Sequence, residues 1–149
     1  EAIESGKAVC TPQDPALASK APRLKRTDGL IDWSRPAAAV RDHVRAFEPW
    51  PKTYTFWHRP SGAPVRLILG PVAVLPDLDP ASPPGTVLEA TRDRLAIATG
   101  AGTILIQSVQ PAGKRLLSTR EFLNGHRVRP GERFGPESHE VDVEGPTRA

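Results

Sequence analysis

The chain has 149 residues, room for one domain with tails, and its 17 prolines and 12 glycines argue against long helices and a large core. Its net charge of +3 hides an asymmetry: residues 137–149 carry four acids against Arg148, a net of −3, which leaves +6 on residues 1–136. No run approaches the roughly 20 apolar residues that span a bilayer, and no charged-then-apolar leader opens the chain, so no membrane role is expected. Cys10 is the single cysteine, which excludes an intramolecular disulfide and a cysteine-based zinc site. There is no Met, initiator included, so a partial or excised chain is expected. With one thiol, cytoplasmic residence is the default, and a monomer is expected. Fifteen of the 20 bases are Arg, whose planar fork grips phosphate, so the basic excess suggests an anionic partner or ordinary solubility charge.

Residues 1–9 read as the end of a helix stopped by Gly6. Residues 10–27 alternate prolines, small residues and bases, the composition of an extended linker. The spacing of Ala37, Val40, Val44 and Phe47 predicts an amphipathic helix, N-capped by Ser34 with help from Asp32, and ended before Pro49 and Pro51. Thr53–His58 then predicts a strand, and Val65–Leu75 an apolar run bent at Gly70-Pro71. Asp77–Pro84 is a loop closed by Pro83-Pro84-Gly85, a type II turn signature. Further strands follow at Thr86–Ala90, Arg94–Thr99 and Thr103–Gln110. Ser118 and Glu121 form a capping box, and Gly125 ends the short helix it opens. Five short strands at this spacing predict a mainly β fold, a small OB-like β-barrel with a preceding helix and a short C-terminal helix. Residues 1–27 are the linker, 28–134 the domain, and 135–149 an acidic tail expected to be disordered.

Several segments resemble the C-terminal region of methionyl-tRNA formyltransferases: PQDPALASKAPRLKRTDGLIDWS, RAFEPWPKTYT, PGTVLEA, LAIATGAGTILIQSVQPAGKR, the EFLNG helix and PGERF. They lie in the family's order over about residues 3–134. The resemblance implies an OB-like domain that follows a Rossmann-like catalytic domain and helps to hold initiator methionyl-tRNA. In such an enzyme 10-formyltetrahydrofolate supplies the formyl group, and no cofactor is expected in this part. The catalytic Asn, His and Asp and the folate-binding SLLP segment belong to the preceding domain, so this chain is expected to be inactive alone. Asn124-Gly125-His126 imitates the Asn-x-His pattern, but Val128-Arg129-Pro130 follows it and a helix ends there, so it reads as a helix cap. Lys52-Thr53 stands where the family often has Gly-Ala. Alternatives are the matching domain of a sugar-nucleotide or folate formyltransferase, or a stand-alone RNA-binding module.

The candidate nucleic-acid-binding residues are Lys20, Arg23, Lys25, Arg26, Arg41, Arg45, Lys114 and Arg115. Four cations within seven linker residues can each meet a phosphate and release counterions, although a solvated linker has the same composition. The family resemblance tips that balance toward tRNA. Arg41 and Arg45 share a helix face four residues apart, with Asp42 and Glu48 at hand to neutralise them. Lys114-Arg115 follows Gly113 in a loop where backbone can approach phosphate. Trp33, Trp50, Tyr54, Phe56 and Trp57 could stack bases, but a core this poor in aromatics needs them, and Trp33 and Trp50 are expected to be packed. Asp28-Gly29 reads as a turn, and His43, His58, His126 and His139 have no metal-ligand spacing. No nucleophile elbow or phosphate-cradling loop is present, and no catalytic residue is assigned.

Overall fold

A computed structural model describes residues 4–6, 9, 11–76 and 78–138. Most of the predicted N-terminal helix end, Cys10, His139 and nearly all of the acidic tail lie outside them. The fold is mainly β, with nine strands in two sheets and two helices among the described residues.

The chain reaches its first helix, α1 (Ala37–Ala46), by a route the sequence did not predict. Ser34 does not cap it. The Ser34 hydroxyl and amide both donate to the Asp32 carboxylate, at 2.5 and 3.0 Å, and the helix starts only after Pro36, which has no capping side chain. The Ala37 amide donates instead to the Ala101 carbonyl (2.9 Å), so a distant hairpin supplies the acceptor that a local cap would have supplied. Ala37, Val40 and Val44 are buried as the stripe predicts, and α1 packs on strands of the second sheet. After it, the Lys52 amide donates to the Phe47 carbonyl (2.9 Å), closing a turn whose Glu48–Pro49 and Trp50–Pro51 bonds are both cis. Trp50, within that turn, is 54% exposed, contrary to the expected packing, whereas Trp33 is buried.

The first sheet holds β1 (Tyr54–His58), β2 (Val65–Leu69), β7 (Ser108–Pro111), β8 (Leu117–Ser118) and β9 (Arg133–Gly135), in the order β8-β7-β2-β1-β9. The second holds β3 (Val72–Leu75), β4 (Val87–Thr91), β5 (Arg94–Ala98) and β6 (Thr103–Ile106), in the order β3-β6-β5-β4. The bend predicted at Gly70-Pro71 is where the chain passes from one sheet to the other. Its partner does the same, so the single strand predicted over Thr103–Gln110 is two strands broken at Gln107. Two bonds stitch the paired corners, Gly70 amide to Ser108 carbonyl (2.9 Å) and Gln107 amide to Pro71 carbonyl (3.1 Å). The approach is close at position 70, where a Cβ would meet the Ser108 hydroxyl and push that side chain aside.

The other two edges also meet. Val87 donates to the Glu132 carbonyl (2.9 Å), Gly131 to Val87 (2.8 Å) and Phe134 to Gly85 (2.7 Å), joining the start of β4 to β9. The two sheets are therefore joined at this side as well as at the corner, with β3 and β8 left as outer strands. The turn at Pro83-Pro84-Gly85 matches expectation, with Gly85 at φ +86° and the Thr86 amide on the Pro83 carbonyl (3.1 Å). Gly135 and Pro136, assigned to the tail from sequence, are held on the sheet: Thr55 Oγ1 donates to the Gly135 carbonyl (3.2 Å), and His58 Nε2 lies 2.7 Å from the Pro136 carbonyl.

The second helix, α2 (Thr119–Gly125), carries the predicted capping box. The Glu121 amide donates to Ser118 Oγ (3.3 Å) and the Ser118 amide to the Glu121 carboxylate (2.8 Å). The Arg115 guanidinium, 2.7 Å away, and then the Ser118 amide and hydroxyl hold the Glu121 carboxyl down to about 2, against an ordinary 4.5. A carboxylate with a lowered folded-state pKa contributes stability above its ordinary pKa and loses it as pH falls through the folded value. The difference in unfolding temperature between the parent chain and Glu121→Gln is therefore expected to be full at about pH 6 and to close as pH falls from 4.5 toward 2. A gap constant across that window would refute the assignment. At the end of α2, His126 stacks on Phe122 (4.5 Å between ring centres) with Nδ1 3.1 Å from the Phe122 carbonyl, a helix-closing role.

Candidate nucleic-acid interface

All four linker cations are exposed. Lys20 and Arg23 lie on chain without helix or strand, but the predicted extended linker stops at Arg26, where a 3-10 turn (Arg26–Gly29) begins. Asp28 shapes that turn, as its carboxylate accepts the Lys25 amide at 2.8 Å. Gly29 is then buried so closely against the Lys52 carbonyl that a Cβ would overlap it. Lys52 takes φ +68° in presenting that carbonyl. Leu30 bridges to Tyr54, and the Ile31 amide donates to the Tyr54 carbonyl (2.9 Å), so the linker runs directly onto the start of β1.

Arg41 and Arg45, on α1, border a cleft of about 500 Å³ together with Lys52. Both arginines approach Asp42, at 2.8 and 3.5 Å, and Lys52 lies 3.8 Å from Glu48. These are surface pairs, weak enough for an incoming phosphate to compete with. The far side of the cleft is Gln110 and Leu116, which flank the loop bearing Lys114 and Arg115. Gln110 Nε2 donates to the Lys114 carbonyl (2.9 Å), fixing the loop to β7. Arg115 turns to Glu121 and buttresses α2, so its removal acts on stability as well as on charge.

The structure thus brings the linker end, the α1 arginines and the Lys114 loop to the surroundings of one cleft. Sequence reasoning missed Lys52 there and left Arg66 of β2 out of account. Lys52 lines the cleft, and Arg66 of β2 lays its guanidinium 4.1 Å from the centre of the Tyr54 ring. Strand alternation could have placed Tyr54, Phe56, Arg66 and Ile68 on outward faces, but not the pairing that sets Tyr54 against Ile68 and Phe56 against Arg66. Of the aromatics considered for stacking, Trp33 and Trp57 are core, while Tyr54 and Phe56 are half-buried in an edge-on pair 5.9 Å apart. His43 adds no charge near neutrality, because burial and then nearby Arg35 lower its pKa and its ring stacks on Phe47 (4.4 Å).

Two joined sheets of short strands, one packed helix and a cationic cleft beside a basic segment define a small, mainly β domain of the OB-like kind. Comparison with known proteins sharpens this: the chain belongs to the formyl transferase C-terminal domain family, whose model matches residues 23–127. It is 42% identical over 135 residues to a methionyl-tRNA formyltransferase of Roseiflexus castenholzii, covering 91% of this chain and 41% of that protein. Methionyl-tRNA formyltransferases of Geobacter sulfurreducens and Heliobacterium modesticaldum are 40% and 39% identical, over 88% and 90% of this chain and 39% and 43% of their own lengths. The chain therefore spans about two fifths of the curated relatives it matches. No helix among the described residues is long and apolar enough to cross a membrane.

Proposed function

We propose that this domain binds initiator methionyl-tRNA by its backbone phosphates and positions it for N-formylation by a separate catalytic domain. That domain, not this one, would take 10-formyltetrahydrofolate, and we assign no folate-binding or catalytic residue here. The observation that carries the reading is the continuity of Lys20, Arg23, Lys25 and Arg26 with the cationic cleft, through a linker fixed at Gly29. Phosphate contacts set orientation rather than sequence, which suits a part whose role is to present the aminoacyl end correctly. The protein acts in this reading as a cytoplasmic monomer.

Equilibrium binding of initiator methionyl-tRNA across a salt series tests it. Lys25→Ala and Arg26→Ala are each expected to weaken binding and to lower the slope of log affinity against log salt by about 1. Slopes unchanged in both variants would remove the linker from the interface. A parent chain with no affinity for tRNA at low salt would favour the matching domain of a formyltransferase acting on a sugar nucleotide or a folate.

A further inference from the structure

The cleft bordered by Arg41, Arg45 and Lys52 is built for more than phosphate. Its wall is apolar, formed in part by outward-facing Ile68 of β2, Val72 of β3 and half-exposed Leu116, with Gln110 as the neutral polar group beside them. A phosphate needs cations and has no use for an apolar hollow. Stacked, paired bases present their phosphates outward and cannot enter one. An unpaired nucleobase has a flat apolar face, a polar edge and an anion attached, and the cleft offers a counterpart to each. Its volume of about 500 Å³ is that of a small-ligand pocket. Among the described residues no aromatic ring lines it, so contact with the base falls to aliphatic side chains and to arginine guanidinium planes, which also stack on bases. Among the described residues, the three rim cations outnumber their two carboxylate neighbours, Asp42 and Glu48, which favours an anion there.

We propose that this cleft takes one unpaired nucleobase of a bound RNA, with the adjoining phosphate held among Arg41, Arg45 and Lys52. The proposal rests on the RNA-binding reading above and adds to it a site that recognises a single-stranded element.

Ile68→Ser and Leu116→Gln test it, since both leave every charge in place, and Leu116 is 52% exposed and so tolerant of exchange. Affinity for initiator methionyl-tRNA, its salt slope, the unfolding temperature and chemical accessibility of the unpaired bases are measured together. Each variant is expected to bind about tenfold more weakly with an unchanged slope, the loss of a base contact rather than of a phosphate contact. The parent chain is expected to protect an unpaired base that both variants leave reactive. Making that nucleotide abasic should weaken the parent to the level of the variants and leave the variants unaffected. Parental affinity and protection in both variants would overturn the proposal and point to a protein segment as the occupant, with the phosphate reading intact. Absence of RNA binding by the parent chain would overturn both readings.

Discussion

A chain with Lys20, Arg23, Lys25 and Arg26 all replaced by alanine is expected to bind initiator methionyl-tRNA about a thousandfold more weakly at 0.1 M salt. Each phosphate contact contributes roughly 0.9 to the salt slope, so four contacts account for a drop of roughly 3.6. The expected effect is large because, in the proposed complex, the four would act through released counterions and not through shared geometry, so their contributions would add. All four are exposed, which leaves nothing in the fold to collapse when they are removed. Arg23→Lys with Arg26→Lys supplies the contrast. Retained affinity and slope mean that charge alone matters, whereas a large loss with lysine present would mean that bidentate guanidinium forks are needed. A quadruple variant with the parental slope would end the linker's role.

Trp33→Ala is expected to cost about 3–5 kcal/mol of stability, among the largest effects of any single substitution in this domain. The side chain is buried, meets Phe134 edge-on at 6.4 Å between ring centres, and donates from Nε1 to Thr55 Oγ1 at 3.0 Å. Thr55 Oγ1 in turn donates to the Gly135 carbonyl, so one ring ties the segment before α1 to β1 and β9. Truncation opens a cavity, removes the bond to Thr55 of β1 and takes away the ring that packs on Phe134 of β9. Trp33→Phe keeps much of the volume and loses only the N–H, and is expected to cost about 1 kcal/mol more than its change in size. Denaturant midpoints measure both; a loss under about 1 kcal/mol for Trp33→Ala would mean that the site collapses without penalty.

What could be read from the sequence was what neighbours in sequence decide. The α1 stripe, the capping box of Ser118 and Glu121, the turn at Gly85 and the bend at Gly70 each follow from a few adjacent residues. What could not be read depends on partners far away. Thr103–Gln110 has the pattern of one strand, and it divides at Gln107 because the strand beside it changes sheets at Gly70. Ser34 has the chemistry of a cap, but Ala101 reaches the helix first. Three-residue β9 is too short to announce itself and exists through its pairing with β1 and β4. The site divides in the same way. Clustered linker cations are visible as a string of letters, while Lys52, Arg66 and the apolar wall around Ile68 acquire meaning only when strand pairing assembles them.

The contact between Gly29 and the Lys52 carbonyl gives the basic tether a fixed peg. Nine residues separate Lys20 from that peg, and fully stretched chain advances about 3.5 Å per residue. Chain length therefore keeps Lys20 within about 30 Å of the peg, and Arg26 much nearer. In the proposed complex the far end of the leash can reach well beyond the cleft, while its near end is held beside it.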